Sequence, residues 1–216
     1  MATNPLCIVI LISGRGSNMK AIIDATSRHA IPVDIRAVIS NDPDAAGLET
    51  AHQAGVDTRV LDHRLFEYRD AFDSALIELI DEFQPKLVVL AGFMRLLGEP
   101  FVNHYASHLM NIHPALLPAF PGLNTHERAL KAGVAQHGAT VHFVTDDIDA
   151  GPIIIQATVD VKNGDSASDL AARVLEQEHR IYPLAVGWFA EGRLSVKNGN
   201  VLLDGAQQPE QGLISA

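Results

Sequence analysis

An α/β fold with a mostly parallel, twisted sheet and helices on both faces is what this sequence predicts. Three observations carry the prediction. Continuous apolar runs rich in branched residues, at 6–13 (LCIVILIS) and 87–91 (LVVLA), read as strands buried on both faces, as a parallel sheet requires. Strand-like and amphipathic stretches alternate up to residue 91 as β-α-β-α-β-α-β, the order that right-handed crossovers produce. Beyond residue 139 two strand-like runs follow one another across a short acidic turn, which adds an antiparallel strand pair in the C-terminal half.

The elements follow in order. The strand at 6–13 ends in Gly14-Arg15-Gly16-Ser17-Asn18, and Met19, Ile22, Ile23 and Ala25 then give a helix its apolar face. A second strand spans 33–40, a helix 45–54 stops at Gly55, and a short strand spans 58–61. Apolar residues at 72, 75, 76, 79, 80 and 83 predict a helix over 66–83. Segment 109–112 is a short strand candidate. The three prolines of 113–124 (HPALLPAFPGLN) exclude a regular helix or a central strand there. Asn124 or Thr125 caps a helix to 132. Strands at 139–145 and 152–161 flank the acidic turn. A long helix spans 168–191, capped by Ser168 or Asp169 and kinked at Pro183. A hairpin turns at Asn198-Gly199. The expected organisation is a single domain over 1–205 and a loose tail over 206–216.

Composition narrows the function. Lys plus Arg number 16 against 26 Asp plus Glu, a net charge of −10 that disfavours nucleic acid or an anionic membrane as partner. One cysteine, Cys7, excludes a disulfide framework or a thiolate metal cluster within the chain. The N-terminus has no basic stretch before its first apolar run, and no run reaches spanning length, so a cytoplasmic location is expected.

Chemistry concentrates in three places. The turn at 14–18 joins a strand to a helix, where unpaired N–H groups and the helix dipole favour an anion; it reads equally well as a plain strand–helix connection. It is neither a dinucleotide fingerprint nor a Walker loop, because the third glycine and the Gly-Lys-Ser/Thr step are both missing. Asn111 and His113 alternate on a strand and project to one side. An amide beside an imidazole suits oxyanion stabilisation and proton transfer, although a buried pair satisfied by backbone groups gives the same pattern. The run Asp146-Asp147-Ile148-Asp149-Ala150-Gly151-Pro152 supplies an acid that, turned inward, would orient His113; spacing alone leaves open which acid does so. Ligands of open α/β sheets bind beyond the carboxyl ends of the strands, so 14–18, 92–97 and the segment from Asn111 are expected to share one edge. His104 and His108 are four apart, but no Glu follows His104, and a metal is not expected.

Taken together, Gly16-Ser17-Asn18, Ala91-Gly92-Phe93-Met94-Arg95, Asn111-x-His113-Pro114-x-Leu116-Leu117-Pro118 and Asp149-x-Gly151-Pro152 resemble the 10-formyltetrahydrofolate-dependent formyltransferases, over residues 6–205. The resemblance implies a Rossmann-like formyltransferase fold. Gly16-Ser17-Asn18 narrows it to members that formylate glycinamide ribonucleotide in purine biosynthesis. By resemblance, Asn111, His113 and Asp149 are catalytic, which selects Asp149 as the inward acid. Gly16, Ser17 and Asn18 would bind the ribose phosphate and Glu178 the ribose hydroxyls. Arg69, Met94, Arg95, Leu96, Leu97, Asn111, Thr145, Asp146, Asp147, Ile148 and Asp149 would bind the folate. The implied co-substrate is 10-formyltetrahydrofolate, with no metal; the implied partners are small molecules, and a homodimer is compatible with them. Two positions depart from the pattern: Ala115 stands where Ser is common, and Arg15 occupies a variable place between the glycines. A tRNA-directed relative would carry a further RNA-binding domain, a folate hydrolase an extra N-terminal one, and a plain nucleotide-binding module would have no reason to combine Asn111, His113 and Asp149.

Overall fold

Continuous apolar runs become parallel strands in the first part of the chain. The computed structural model describes residues 5–206 and 214–215, and the chain divides into two units, Met1–Met110 and Asn111–Ala216. In the first, β1 (Leu6–Ile12) pairs in parallel with β2 (Val33–Ser40) and β4 (Leu87–Leu90), and β2 pairs with β3 (Thr58–Val60). Ile8 to Ile12 and all four residues of β4 are buried, as expected of central strands covered on both faces. The border strand β3 has only three residues. Its Arg59 pairs with Asp57 at 2.5 Å and lies over the Phe83 ring, 5.5 Å from its centre.

Helices alternate with these strands. In α1 (Ser17–Ser27), Met19, Ile22 and Ile23 form the buried stripe; α2 is Ala46–Gln53. The helix expected over 66–83 is shorter: α3 spans Arg69–Asp81, with Phe72, Leu76 and Ile80 buried at four-residue spacing. A 3-10 turn at His63–Leu65 takes up the preceding chain. Asp62 closes that turn by accepting the Arg64 N–H at 3.0 Å. A six-residue helix that periodicity did not predict, α4 (Glu99–His104), begins after Gly98, whose N–H donates to buried Asp73 at 2.7 Å.

β5 (Leu109–His113) starts in the first unit, where Val88 donates to the His108 carbonyl, and ends in the second. In the second unit β5, β6 (Gln136–Phe143), β7 (Ile153–Asp160) and β10 (Ile214–Ser215) are neighbours in that order, with β6–β7 antiparallel and β7–β10 parallel. The antiparallel pair therefore enters in the C-terminal half, as expected. β6 starts three residues earlier than its alternation suggests, because His137 and Gly138 are buried and pair with β7. α5 (Thr125–Ala132) begins at Asn124, whose backbone is left-handed and whose side chain makes no cap bond. α6 (Ala167–Ala190) runs unbroken through Pro183. Its cap is Ser166, in a reciprocal box with Asp169, rather than Ser168 or Asp169. The hairpin β8 (Leu194–Lys197) and β9 (Asn200–Leu203) turns at Asn198-Gly199 as predicted. Of the expected tail, residues 207–213 and 216 lie outside the described residues.

Candidate active site

In the first unit the site is built from turns that leave β1 and β4. Gly16 is the N-cap of α1, with φ +68°, and a Cβ there would stand 3.0 Å from the Met19 methyl and 3.2 Å from Gly47. Glycine is needed on both counts. The turn is fastened by the Gly47 N–H, which donates to the Gly14 carbonyl at 2.9 Å. Ser17 and Asn18 are the first residues of α1, the end whose N–H groups and dipole favour an anion. Ser13 donates its N–H to the Gly92 carbonyl at 3.1 Å, which ties this turn to the loop after β4. That loop carries Met94, Arg95, Leu96 and Leu97. Met94 and Leu96 are 68% and 62% exposed, apolar side chains held in water. Arg69 opens α3, and its guanidinium lies near Gly98, just past the same loop. Asp73 beside it is pushed above the usual carboxylate range, because burial outweighs the Gly98 N–H and the Arg69 charge.

In the second unit, Asn111 and His113 leave β5 on the same side, and Asp149 reaches His113 from the loop between β6 and β7. His113 Nδ1 is 3.3 Å from Asp149 Oδ2, and their side chains are 7% and 13% exposed. His113 Nε2 donates to the Phe120 carbonyl at 2.9 Å, since a carbonyl only accepts. Asp149 Oδ2 also accepts the Gly122 N–H at 2.8 Å, so the proline-rich loop folds back over the pair. Asp149 has φ +52°, a left-handed conformation that Asp tolerates and that aims its carboxylate inward. Two residues on, Gly151 lies so close to the Phe143 carbonyl that a Cβ would sit 1.8 Å from that oxygen. The Asp-x-Gly-Pro spacing is thus a packing requirement: glycine lets the loop return against β6 and set Asp149 in place.

A residue that sequence reasoning missed completes the cluster. His142, on β6, is almost fully buried; its Nδ1–H donates to the Phe143 carbonyl at 2.9 Å. Its Nε2 therefore carries the lone pair and accepts from Asn111 Nδ2 at 3.2 Å. Nε2 is also 3.8 Å from Asp149 Oδ1. Burial keeps this imidazole below its ordinary range, so it stays a neutral acceptor. It turns the Asn111 NH₂ group inward and leaves the second amide N–H to donate elsewhere. The period-two alternation of 139–145, which places Thr140 and His142 on one face, was the available signal. Thr140 accepts from Leu117 N and Gln156 Nε2 at 3.1 and 2.8 Å and donates to the Ala115 carbonyl at 2.6 Å, bracing the start of the loop.

Thr145, Asp146, Asp147 and Ile148 are exposed on the loop that carries Asp149. Glu178 is buried on α6. His104 is engaged with Asp81 at 2.9 Å and His108 with the Ala106 carbonyl at 2.9 Å, so the pair does not converge. Among the described residues no group of three or more His, Cys, Asp or Glu is arranged to hold a metal, and no helix is long and apolar enough to cross a membrane. Beneath the proline-rich loop, His137 packs edge-on against His126 and Phe120, with ring centres 5.2 and 5.9 Å apart.

The sequence model of the formyl transferase family matches residues 6–186. The chain is 55% identical to the phosphoribosylglycinamide formyltransferase of Escherichia coli (strain K12), over 95% of this chain and 97% of that one. It is 47% identical to the human trifunctional purine biosynthetic protein adenosine-3, over 90% of this chain and 19% of the longer protein. Among solved structures, the phosphoribosylglycinamide formyltransferase of Coxiella burnetii, in complex with CHES, superposes with a TM-score of 0.91 at 50% identity, covering 98% and 99% of the two chains. A formyltetrahydrofolate deformylase from Pseudomonas syringae shares the fold, with a TM-score of 0.86 at 24% identity over 94% of this chain and 67% of that one.

Proposed function

The chain belongs to the formyl transferase family, and from that premise we propose that it moves the formyl group of 10-formyltetrahydrofolate to the primary amine of glycinamide ribonucleotide in purine biosynthesis. The observation that carries the reading is the His113–Asp149 pair. The Phe120 carbonyl requires a proton on His113 Nε2, and Nδ1 faces a carboxylate. Nδ1 and the Asp149 carboxylate thus stand close enough for a proton to pass between them during a reaction.

The formyl donor supplies an already activated one-carbon unit. The amine nitrogen bonds to the formyl carbon, negative charge develops on the formyl oxygen, and collapse breaks the bond to N10 as a proton passes from the amine to N10. Asn111 donates its free amide N–H to that oxyanion in the tetrahedral intermediate. His113 donates Nε2–H to it on releasing the Phe120 carbonyl. Asp149 keeps His113 oriented and relays the proton. Gly16, Ser17 and Asn18 at the α1 N-terminus hold the ribose phosphate, and Glu178 accepts from the ribose hydroxyls. Arg69, Arg95, Leu97, Thr145, Asp146 and Asp147 hold the folate, with Met94, Leu96 and Ile148 as apolar walls for its flat ring. Alignment of the two substrates supplies much of the remaining acceleration.

A spectrophotometric assay with 10-formyl-dideazafolate as donor tests this, run with and without glycinamide ribonucleotide. Turnover that requires the acceptor supports the transfer. Turnover without it makes the protein a hydrolase, and no turnover from folded protein rejects the reading.

A further inference from the structure

We propose that Ser13, Asn41 and His63 form a hydrogen-bonded relay that positions the backbone at Met94 and so sets the affinity for the formyl donor; its kinetic half rests on the function proposed above. The four residues come from four places: Ser13 follows β1, Asn41 follows β2, His63 lies in the 3-10 turn after β3, and Met94 follows β4. The Met94 N–H donates to Ser13 Oγ at 2.7 Å. Ser13 Oγ in turn bonds to Asn41 Oδ1. Asn41 Nδ2 is 3.0 Å from His63 Nδ1.

Donor and acceptor logic gives the first links of this chain one direction. An amide N–H only donates, so it makes Ser13 Oγ an acceptor, and the hydroxyl proton goes to Asn41. The Asn41 carbonyl oxygen must then face Ser13, which aims its NH₂ at His63 Nδ1. That nitrogen also lies 2.9 Å from the Asn41 backbone carbonyl, which only accepts. With its proton on Nε2 the ring accepts from the Asn41 amide, and with its proton on Nδ1 it donates to that carbonyl, so His63 holds Asn41 in either tautomer. The same carbonyl already accepts the His63 N–H at 3.3 Å, and Asp62 Oδ1 lies 4.0 Å from Nδ1.

Placement argues for a role beyond packing. Asn41 is buried, and a buried polar chain is tolerated only when each member is satisfied. Apolar side chains would close the same strand ends without that demand. The relay lies at the carboxyl ends of parallel strands, where sheets of this class take their ligands. The Met94 side chain is mostly in water, so backbone bonds fix where residues 94–97 stand.

The test uses the full chain with Ser13→Ala, Ser13→Thr and His63→Ala. Amide exchange at Met94, followed by NMR, reads the relay itself: Ser13→Ala should speed it about tenfold or more, and Ser13→Thr should restore it. In the formyl-transfer assay Ser13→Ala should raise KM for the donor about tenfold, while kcat and the KM for the ribonucleotide stay within about twofold. His63→Ala should move donor KM and exchange the same way by less. Unchanged exchange and unchanged donor KM overturn the proposal. So does a parallel loss in kcat and both KM values with a lowered Tm, the mark of a purely structural role. If the unmodified enzyme transfers no formyl group, the functional reading fails by itself, and the exchange measurement still decides whether the relay exists.

Discussion

Replacing His137 with Phe should make the protein lose less stability in acid. His137 is 1% exposed on β6, and neither ring nitrogen has a partner of good hydrogen-bond geometry. Burial pushes its pKa from 6.5 down to about 4; the His126 and His113 charges act the same way and the Pro114 backbone opposes. The folded value is lowered, so above pH 6.5 the group is neutral in both states and contributes nothing. As pH falls from 6.5 toward 4, the unfolded chain takes up a proton that the native state refuses, and stability drops. At 1.36 kcal/mol per pKa unit, the loss between about pH 7 and about pH 5 is about 2 kcal/mol from this residue. Burial depresses His126 and His142 in the same sense, so they steepen the same limb. His137→Phe keeps a ring beside His126 and Phe120 but removes the titration. Urea unfolding followed by Trp188 fluorescence at the two pH values should show the pH difference in unfolding free energy shrink by about 2 kcal/mol. An unchanged difference would refute the argument.

Other expectations follow from the same geometry. His113→Ala should cut kcat by about 10²–10³-fold or more while a folate analogue still binds, measured by calorimetry; near-normal turnover would remove His113 from the mechanism. Gly151→Ala drives a Cβ to 1.8 Å from the Phe143 carbonyl. It should cost about 2 kcal/mol or more on thermal unfolding and misplace Asp149, so activity falls beyond the loss in folded protein. Ser166→Ala removes one half of the α6 capping box and should cost about 1 kcal/mol with kcat unchanged; a silent variant would mean the box does not hold the helix end.

What the sequence revealed depended on whether one physical signal dominated locally. Unbroken apolar runs made β1 and β4 plain, and four-residue spacing located α3, because burial alone decides those segments. Signals failed where polar groups are buried by partnership. His142 looks like any strand residue until Phe143 and Asn111 are seen to occupy its two nitrogens. The first residues of β6 are polar or small and still belong to the ladder. α4 has six residues, fewer than two turns, too few to display a period, and its start is set by Asp73, 25 positions away. The α6 cap was misplaced because Ser166, Ser168 and Asp169 are all good cap residues. Only the reciprocal bond from Asp169 back to the Ser166 N–H singles out the first. In the candidate site the motifs located Asn111, His113 and Asp149, whereas the oxygen atoms facing His113 come from Phe120 and Asp149, and no local pattern announces that convergence.

The short border strand β3 has a bearing on how the protein behaves at high concentration. Three residues leave few free N–H and C=O groups for another molecule's strand to join. Arg59 fixes a charge in that margin, held by Asp57 on one side and the Phe83 ring on the other. An approaching apolar strand would have to displace or desolvate that guanidinium before its first bond formed. Replacing Arg59 with an apolar residue would open this margin to edge-to-edge growth, so light scattering of such a variant should rise with concentration long before its folding is affected.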